Sequence, residues 1–308
     1  MSIVVDGLTK KYGEQKAVNN ISFKVETGEV VGFLGPNGAG KSTTMKMITC
    51  YMAPSGGDVL LEGMSIHTHA DQIKKRIGYL PENNPLYLDM PIIDYLRFSA
   101  EIQGVPGNKI PERIAEMVET CGLDVEKHKK IGELSKGYRQ RVGLAQAMIH
   151  NPDVLILDEP TTGLDPNQII EIRKLIKKLG KQKTVILSSH ILSEVEATCD
   201  RILIINRGRI AADGTSATLR QQAQGQELLT VQIEGADGES LKKALLGLAT
   251  VEKVDGVDGK ADYFTVQSKP DQSSRKAVFD LCVSNKWCLL EMTGIETRLE
   301  DVFRELTN

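Results

Sequence analysis

A run of small and polar residues near the start of the chain has the composition and spacing of a phosphate-binding loop. The run reads GPNGAGKST at residues 35–43, between an apolar, strand-like segment at Val30–Leu34 and a helix-like pattern at Thr43–Ile48. Glycines at such a junction allow positive φ angles, and N–H groups of the loop and of the helix start can converge on an anion. A glycine-rich turn with an unrelated surface lysine is the alternative, but the motif G-x-x-x-x-G-K-S/T is complete here.

The residues of this loop have distinct expected roles. Lys41 places a cation on the β- and γ-phosphates of a nucleotide, and the Ser42 hydroxyl is a ligand of Mg²⁺. The other phosphate-binding positions are Gly35, Pro36, Asn37, Gly38, Ala39, Gly40 and Thr43.

A second segment ends in two adjacent carboxylates. Val154–Leu157 predicts a buried strand, Asp158 and Glu159 follow it, and Pro160 ends it. In a phosphate-loop fold the first carboxylate holds Mg²⁺, commonly through water, and the second polarises the attacking water. Both can serve only where the backbone turns, because neighbouring side chains of a strand point to opposite faces. An acidic turn without chemistry is the alternative for this segment taken alone.

A third segment, ELSKGYRQRVGLAQAMI at residues 133–149, predicts the start of a helix. Ser135 is well placed to cap that helix, and Gly137 with the helix N-terminus could bind another phosphate. A plain helix cap is the alternative that these residues leave open.

The composition limits the class of protein. The chain has 308 residues, a formal net charge of −3 and five cysteines without a C-x-x-C pair. The near-neutral charge disfavours nucleic acid as a partner, and the scattered cysteines favour reduced cytosolic thiols over disulfides or a zinc site. We find no signal peptide and no apolar stretch near the roughly 18 residues that a membrane span requires. If the protein works at a membrane, we expect another chain to span it.

Strand-like runs recur over the first two thirds of the chain, and helical patterns lie between the later ones, which predicts an α/β layer with parallel strands. The predicted strands are Ser2–Val5, Ile21–Val25, Val30–Leu34, Arg76–Leu80, Val154–Leu157, Thr184–Ser188, Arg201–Asn206 and Arg209–Ala212. Residues 92–150 read as almost wholly helical. We therefore expect a helical subdomain at about residues 83–150, inserted between two halves of the sheet.

A polar, glutamine-rich segment at residues 214–226 precedes a fresh α/β pattern. A boundary near Gln221–Gln226 gives a first domain at residues 1–220 and an accessory domain at residues 226–308. The second domain is predicted as a small ferredoxin-like α+β fold, because its order is β-α-β-β-α-β with a trailing helix. Its predicted elements are Leu228–Ile233, Glu239–Leu248, a strand near Val251, Tyr263–Gln267, Ser274–Asn285, Cys288–Met292 and Leu299–Leu306.

Residues 1–220 resemble the ATP-binding subunit of ABC transporters, and closely resemble the gliding-motility-associated subfamily within the ABC-2 export group. Five motifs in order carry this resemblance: GPNGAGKST at 35–43, LSKGYRQ at 134–140, LILDEP at 155–160, GLDP at 163–166 and SSH at 188–190. The resemblance implies a P-loop NTPase cassette with a helical insertion that uses ATP and Mg²⁺. It also implies a homodimer or pseudo-dimer of ATP-binding subunits, separate transmembrane permease subunits and a peripheral position on the cytoplasmic face of the cell membrane.

The resemblance further assigns roles to single residues. Tyr12 stacks on adenine, Asp165 links the two nucleotide sites, and His190 contacts the γ-phosphate beside Lys41 and Glu159 as the third catalytic residue. Ser135 and Gly137, in turn, reach across the dimer to the partner's ATP. Ordinary packing is the alternative for Tyr12, and a helix-capping or core position is the alternative for His190.

The sequence departs from the family pattern at two motifs. In the signature motif, Lys136 replaces a glycine and Tyr138 replaces a glutamine. In GYLPENNPLY at residues 78–87, Glu82 stands where the family has a glutamine, and we group it with Ser42 and Asp158 as a metal-site residue. The following segment, Asn83–Met90, is expected to dock the membrane subunit; a loop packed on its own helical insertion is the alternative.

These observations predict an ATP-binding and ATP-hydrolysing subunit that dimerises around two ATP molecules and drives a separate membrane subunit in export. A soluble ABC ATPase of translation or DNA maintenance is the alternative, but such proteins usually carry tandem cassettes or long heptad coiled coils, which are absent from this sequence. A non-catalytic nucleotide-binding regulator is a third possibility, which the presence of Lys41, Asp158, Glu159 and His190 disfavours.

Overall fold

The chain divides into two compact units in the computed structural model, which describes residues 1–224, 227–257, 260–270, 272–294 and 299–307. One unit comprises Met1–Ser216 with Leu306–Asn308, and the other comprises Ala217–Glu305. The predicted boundary at 221–226 lies a few residues further on, and residues 225–226 of it lie outside the described residues. The domain limits 1–220 and 226–308 therefore stay a prediction.

The first unit contains ten strands and seven α-helices among its described residues, and an eighth helix begins at Ser216 and belongs otherwise to the second unit. The strands are β1 (Ile3–Tyr12), β2 (Gln15–Val25), β3 (Val30–Leu34), β4 (Gly56–Leu61), β5 (Met64–Ser65), β6 (Ile77–Leu80), β7 (Val154–Asp158), β8 (Thr184–Ser189), β9 (Arg201–Asn206) and β10 (Arg209–Gly214). The helices are α1 (Lys41–Ile48), α2 (Ala70–Lys74), α3 (Ile92–Ile102), α4 (Ile110–Thr120), α5 (Lys136–Met148), α6 (Pro166–Gly180), α7 (Leu192–Thr198) and α8 (Ser216–Gln224).

A six-stranded sheet forms the centre of the first unit. Its order is β10-β9-β3-β8-β7-β6, and every pair except β10–β9 is parallel. All residues of β3, β7 and β8 are buried, as expected for parallel strands covered on both faces. The predicted α/β layer is confirmed, and the carboxyl ends of β3, β7 and β8 meet at one edge of the sheet.

The first unit also contains a second sheet, which is antiparallel. Its order is β2-β1-β4-β5, so the strands predicted at Ser2–Val5 and Ile21–Val25 do not belong to the parallel layer. The strands β4 and β5 were not predicted, because glycines and charged residues interrupt their short apolar runs. The two sheets share one core, in which the rings of Phe23 and Phe33 lie 5.1 Å apart.

Three helices form the predicted insertion. The helices α3, α4 and α5 lie between β6 and β7, which are neighbours in the central sheet. Residues 216–224 of the polar, glutamine-rich segment form α8. Ala, Leu, Arg and Gln are good helix formers, which explains how this polar segment becomes helical.

The second unit has its own sheet and core. Its elements are β11 (Leu228–Glu234), α9 (Gly238–Leu246), β12 (Val251–Val257), β13 (Lys260–Ser268), α10 (Arg275–Asn285), β14 (Cys288–Gly294) and α11 (Leu299–Thr307). The sheet order β12-β13-β11-β14 is antiparallel throughout and matches the predicted ferredoxin-like arrangement. Leu229, Val231, Leu241 and Val278 are fully buried in its core. In the described part of the chain, no helix is both long and apolar enough to cross a membrane.

Candidate functional site

The phosphate loop connects β3 to α1, and its backbone requires glycine. Gly38 and Gly40 have φ angles of 78° and 107°, which residues with a Cβ rarely adopt. A Cβ on Gly40 would lie 2.5 Å from the carbonyl oxygen of Ala17, and one on Gly35 would collide with the carbonyl oxygen of Ile205. The loop is therefore held tightly between the backbones of β2 and β9.

Lys41 is the first residue of α1 and is only 6% exposed. Its Nζ donates hydrogen bonds to the carbonyl oxygens of Gly35 at 2.8 Å and Pro36 at 3.2 Å. The same amine lies 3.5 Å from Glu159 Oε1. Within the loop, the N–H of Ala39 donates to the Pro36 carbonyl at 3.2 Å. The loop thus presents its one cation toward the end of β7.

Asp158 is the last residue of β7, and its side chain connects this strand to α1 and to β8. Its Oδ1 accepts hydrogen bonds from Ser42 Oγ at 3.0 Å and from Ser188 Oγ at 2.6 Å. Burial raises the pKa of Asp158, while the hydrogen bonds from Ser188 and Ser42 act in the opposite direction. The carboxylate that the sequence assigns to Mg²⁺ therefore lies directly against the Ser42 hydroxyl.

Glu159 follows at a sharp backbone turn with a φ angle of 49°. Its N–H donates to Ser188 Oγ at 2.9 Å. Its Oε2 accepts hydrogen bonds from Thr162 Oγ1 at 3.1 Å and from His190 Nδ1 at 2.9 Å. The turn lets both carboxylates face the phosphate loop, as the sequence analysis required.

A cavity of about 390 Å³ lies between the loop and these side chains. It gathers most of the predicted site residues, namely Asn37, Gly38, Gly40, Lys41, Ser42, Thr43, Glu82, Glu159 and His190. The cavity is lined by one cation, several backbone N–H groups and a carboxylate–histidine pair. Such a lining suits a bound phosphate chain and an activated water molecule.

The residues present fit Mg²⁺. The described residues contain no group of three or more His, Cys, Asp or Glu side chains that could enclose a metal by themselves. Mg²⁺ instead commonly takes one or two protein oxygens together with water and substrate phosphates. Ser42 Oγ and Asp158 Oδ1, which lie 3.0 Å apart, supply oxygens of this kind. Ser42 and Glu82 line the phosphate cavity, and both also line an adjoining cavity together with Asp158.

Tyr12 lies outside the lining of this cavity. Its ring is 50% exposed, its hydroxyl donates to Met52 Sδ at 3.1 Å, and Lys10 Nζ lies 5.6 Å from the ring centroid. The ring is exposed enough to contact a base, and the adenine role remains a prediction.

The signature segment also lies apart from the cavity. Ser135 caps α5, and its Oγ accepts a hydrogen bond from the N–H of Tyr138 at 3.4 Å. Gly137 is buried under Gln168, whose Cδ would lie 2.5 Å from a Cβ at that position. Asp165 caps α6 by accepting from the N–H of Gln168 at 2.9 Å. The signature and the Asp165 loop are therefore packed together within one chain.

Glu82 borders a second, larger cavity of about 730 Å³ as well as the phosphate cavity. Beyond it, the Tyr87 ring packs against Tyr95 and Phe98 of α3, with centroids 5.9 and 5.5 Å apart. The segment Asn83–Met90 thus packs on its own helical insertion, as the alternative interpretation predicts. Tyr87 and Leu88 nevertheless stay about half exposed, at 52% and 50%. Docking of a membrane subunit here stays a prediction.

Three residues of the site were missed by the sequence analysis. Ser188 bonds Asp158 and the Glu159 backbone, Thr162 bonds the Glu159 side chain, and Ala17 borders the cavity. A polar residue at the carboxyl end of an apolar strand was the available signal for Ser188. The sequence does not indicate Ala17, because an alanine side chain has no reactive group and only its position beside the cavity matters.

Comparisons with known proteins agree with this geometry. The family model described as "ABC transporter" matches residues 18–162. The chain is 33% identical to the uncharacterized ABC transporter ATP-binding protein YxlF of Bacillus subtilis (strain 168), over 99% of both chains. It is 35% identical to the Nod factor export ATP-binding protein I of Burkholderia orbicola (strain AU 1054), over 80% of this chain and 81% of the relative.

Solved structures show the same fold. A dimeric ATP-binding cassette in a post-hydrolysis state, bound to ADP and Pi, superposes with a TM-score of 0.63 at 26% identity. The similarity covers 69% of this chain and 98% of that cassette.

Proposed function

Because the chain belongs to the family of ABC transporter ATP-binding proteins, we propose that Lys41, Glu159 and His190 hydrolyse ATP to drive a membrane-spanning partner in export. As a member of this family, the chain is an ATP-binding and ATP-hydrolysing subunit, and the soluble ATPase of translation or DNA maintenance is not favoured. The observation that carries the residue assignment is the position of Glu159, within 3.5 Å of Lys41 and 2.9 Å of His190.

Each side chain has a distinct role in this proposal. The loop from Gly35 to Thr43 binds the phosphates, and Lys41 balances the charge on the β- and γ-phosphates. Ser42 and Asp158 would hold Mg²⁺, with Glu82 at the edge of that site; the ion supplies charge neutralisation on the phosphate oxygens. Glu159 accepts the proton of the attacking water, and the Nδ1 bond from His190 fixes its carboxylate.

A dimer completes the site in this proposal. Two observations support it: Ser135 and the N-terminus of α5 lie away from the chain's own phosphate cavity, and the matched cassette structure is a dimer. Ser135 and Gly137 then contact the partner's ATP, Tyr12 stacks on adenine, and Asp165 lies between the two sites. Gln168 must move aside for Gly137 to approach a phosphate.

The membrane side of the proposal rests on the relatives. Export is supported by the Nod factor export relative, and separate permease subunits are supported by the family's transporter descriptions. We place the protein on the cytoplasmic face of the membrane, with residues 83–90 docked on the permease. We also propose the narrower gliding-motility-associated subfamily on the five sequence motifs; the identity of the neighbouring permease gene tests it.

Replacing Glu159 with Gln tests the assignment most directly. The amide keeps the size of the side chain and leaves Asp158 in place, but it cannot accept the proton. Loss of a general base typically lowers the rate by about 10²–10⁴-fold. We expect ATP binding to persist, and the Glu159→Gln protein to shift from monomer to dimer with ATP and Mg²⁺, but not with ADP. Phosphate release and size-exclusion chromatography with light scattering measure these two effects.

Glu101→Gln is the matched control, because Glu101 is an exposed residue of α3. Wild-type hydrolysis by Glu159→Gln would show that Glu159 is not the general base. Lost hydrolysis without dimerisation, in the presence of the permease as well, would contradict the role of Ser135 and Gly137 across the dimer.

A further inference from the structure

Glu159 and His190 form the hydrolytic pair of the proposed function. A buried carboxylate without a role in that proposal bonds residues next to both of them. Glu194 is in the first turn of α7 and is 7% exposed. Its Oε2 accepts two hydrogen bonds, from Thr161 Oγ1 at 2.5 Å and from Ser189 Oγ at 3.3 Å. Both donors are themselves buried, at 5% and 1% exposure. One oxygen atom therefore connects the segment after β7 to the last residue of β8 within the core.

The two donors are chain neighbours of the hydrolytic pair. Thr161 follows Glu159 by two residues, and Ser189 immediately precedes His190. The Ser189 hydroxyl also accepts the N–H of Ile191 at 3.0 Å, so the backbone on both sides of His190 is fixed. The hydrogen bond of 2.9 Å between Glu159 and His190 thus joins two segments of the chain. Glu194 forms hydrogen bonds with both segments.

The backbone of Glu159 makes such support necessary. Its φ angle of 49° is unfavourable for a residue with a Cβ, and a conformation of this kind persists only where surrounding contacts fix it. The Ser188 hydroxyl bonds the Glu159 N–H on one side of the turn, and Glu194 fixes Thr161 on the other side.

We infer that Glu194 is a positioning residue for hydrolysis: it sets the relative position of Glu159 and His190 without contacting ATP. This inference rests on the proposed role of Glu159. An ordinary buried anchor of α7 would affect stability and every function of the site together. A positioning residue affects the chemical step and leaves nucleotide binding unchanged, because no hydrogen bond or ion pair among the described residues joins Glu194 to Lys41 or the phosphate loop.

Variants of both bonded partners test the inference. Hydrogen bonds to carboxylates are strong enough that losing one in the transition state lowers a rate by about 10- to 100-fold. We expect Glu194→Ala and Thr161→Val to lower kcat by this factor, with KM for ATP and the affinity for a fluorescent ADP analogue unchanged. Glu194→Gln and Thr161→Ser retain an acceptor and a hydroxyl, so we expect each to recover most of the rate.

The matched control is Glu196→Gln, in the same helix. Glu196 Oε1 bonds the Ser216 hydroxyl at 2.7 Å, away from the hydrolytic pair, and its replacement should leave kcat unchanged. Because Glu194→Ala already removes the contact with Thr161, the Glu194→Ala/Thr161→Val double variant should lose little more than Glu194→Ala alone.

Unchanged kcat in Thr161→Val and Glu194→Ala, with Glu159→Gln inactive, would overturn this inference and leave the Glu159 assignment intact. A parallel loss of ADP affinity and of thermal stability would also overturn it, in favour of a purely structural anchor. If Glu194→Ala does not fold, the rates of Thr161→Val and Thr161→Ser decide the question by themselves.

Discussion

At the level of single residues, Glu82 is the most informative departure from the family pattern. An ionised carboxylate only accepts hydrogen bonds, whereas the glutamine it replaces also donates them. Glu82 borders both the phosphate cavity and the larger cavity beside it. Its chemistry can therefore act on the nucleotide and on whatever occupies the larger cavity.

We expect Glu82→Gln to preserve ATP affinity and to change turnover, or its response to the permease. A single hydrogen bond gained or lost corresponds to a change of about two- to tenfold. Nucleotide titration and phosphate release, with and without the permease, measure these quantities. Asp89→Asn is the control, because it removes a charge from the same segment but borders neither cavity. Identical turnover in all conditions would contradict a special role for Glu82.

At the level of elements, the phosphate loop depends on the spacing between β2, β3 and α1. We predict that Gly40→Ala lowers ATP affinity by about 10- to 100-fold, since backbone strain of this kind costs about 1–3 kcal/mol. The new methyl group would lie 2.5 Å from the Ala17 carbonyl oxygen, so the loop must shift to accommodate it. Isothermal titration with a non-hydrolysable ATP analogue measures the loss.

Gly13→Ala is the matched control for this prediction. Gly13 also has a positive φ angle, of 58°, but a Cβ there meets nothing within 4 Å. It should lower the thermal stability slightly and leave ATP affinity unchanged. Wild-type affinity in Gly40→Ala would show that the loop tolerates the shift.

The elements also explain what the sequence could predict. The strands β3, β7 and β8 are continuous apolar runs, and Lys41, Ser42, Asp158 and Glu159 stand at their ends in recognisable motifs. The contacts of Ser188 and Glu194 were not predictable, because they depend on which strands are neighbours in the sheet. The short elements β4, β5 and α2 carry too few apolar residues to show a period.

At the level of the whole molecule, the nucleotide cavity belongs to the first unit alone. All its described lining residues lie between Ala17 and His190, and the second unit has a separate core. We predict that deleting residues 226–308 leaves a chain that folds and binds ATP within about twofold of the full-length affinity. A role of the removed domain in regulation or dimer support remains our hypothesis.

Thermal unfolding and ATP titration of the truncated and full-length chains check this prediction. The deletion also removes residues 306–308, which group with the first unit. An insoluble chain, or one that no longer binds ATP, would show that the predicted boundary divides a shared core.

The sheet order has a consequence for synthesis on the ribosome. The phosphate loop follows β3, yet both neighbours of β3 come much later: Val30 pairs with Val185, and Val31 pairs with Arg201. At translation rates of 5–20 residues per second, the loop emerges about 10 to 30 s before β9 is made. During this interval β3 is an apolar segment with two unpaired edges, which favours aggregation. The nascent chain must therefore be protected through most of its synthesis, and ATP can stabilise it only after β8 and β9 have joined the sheet.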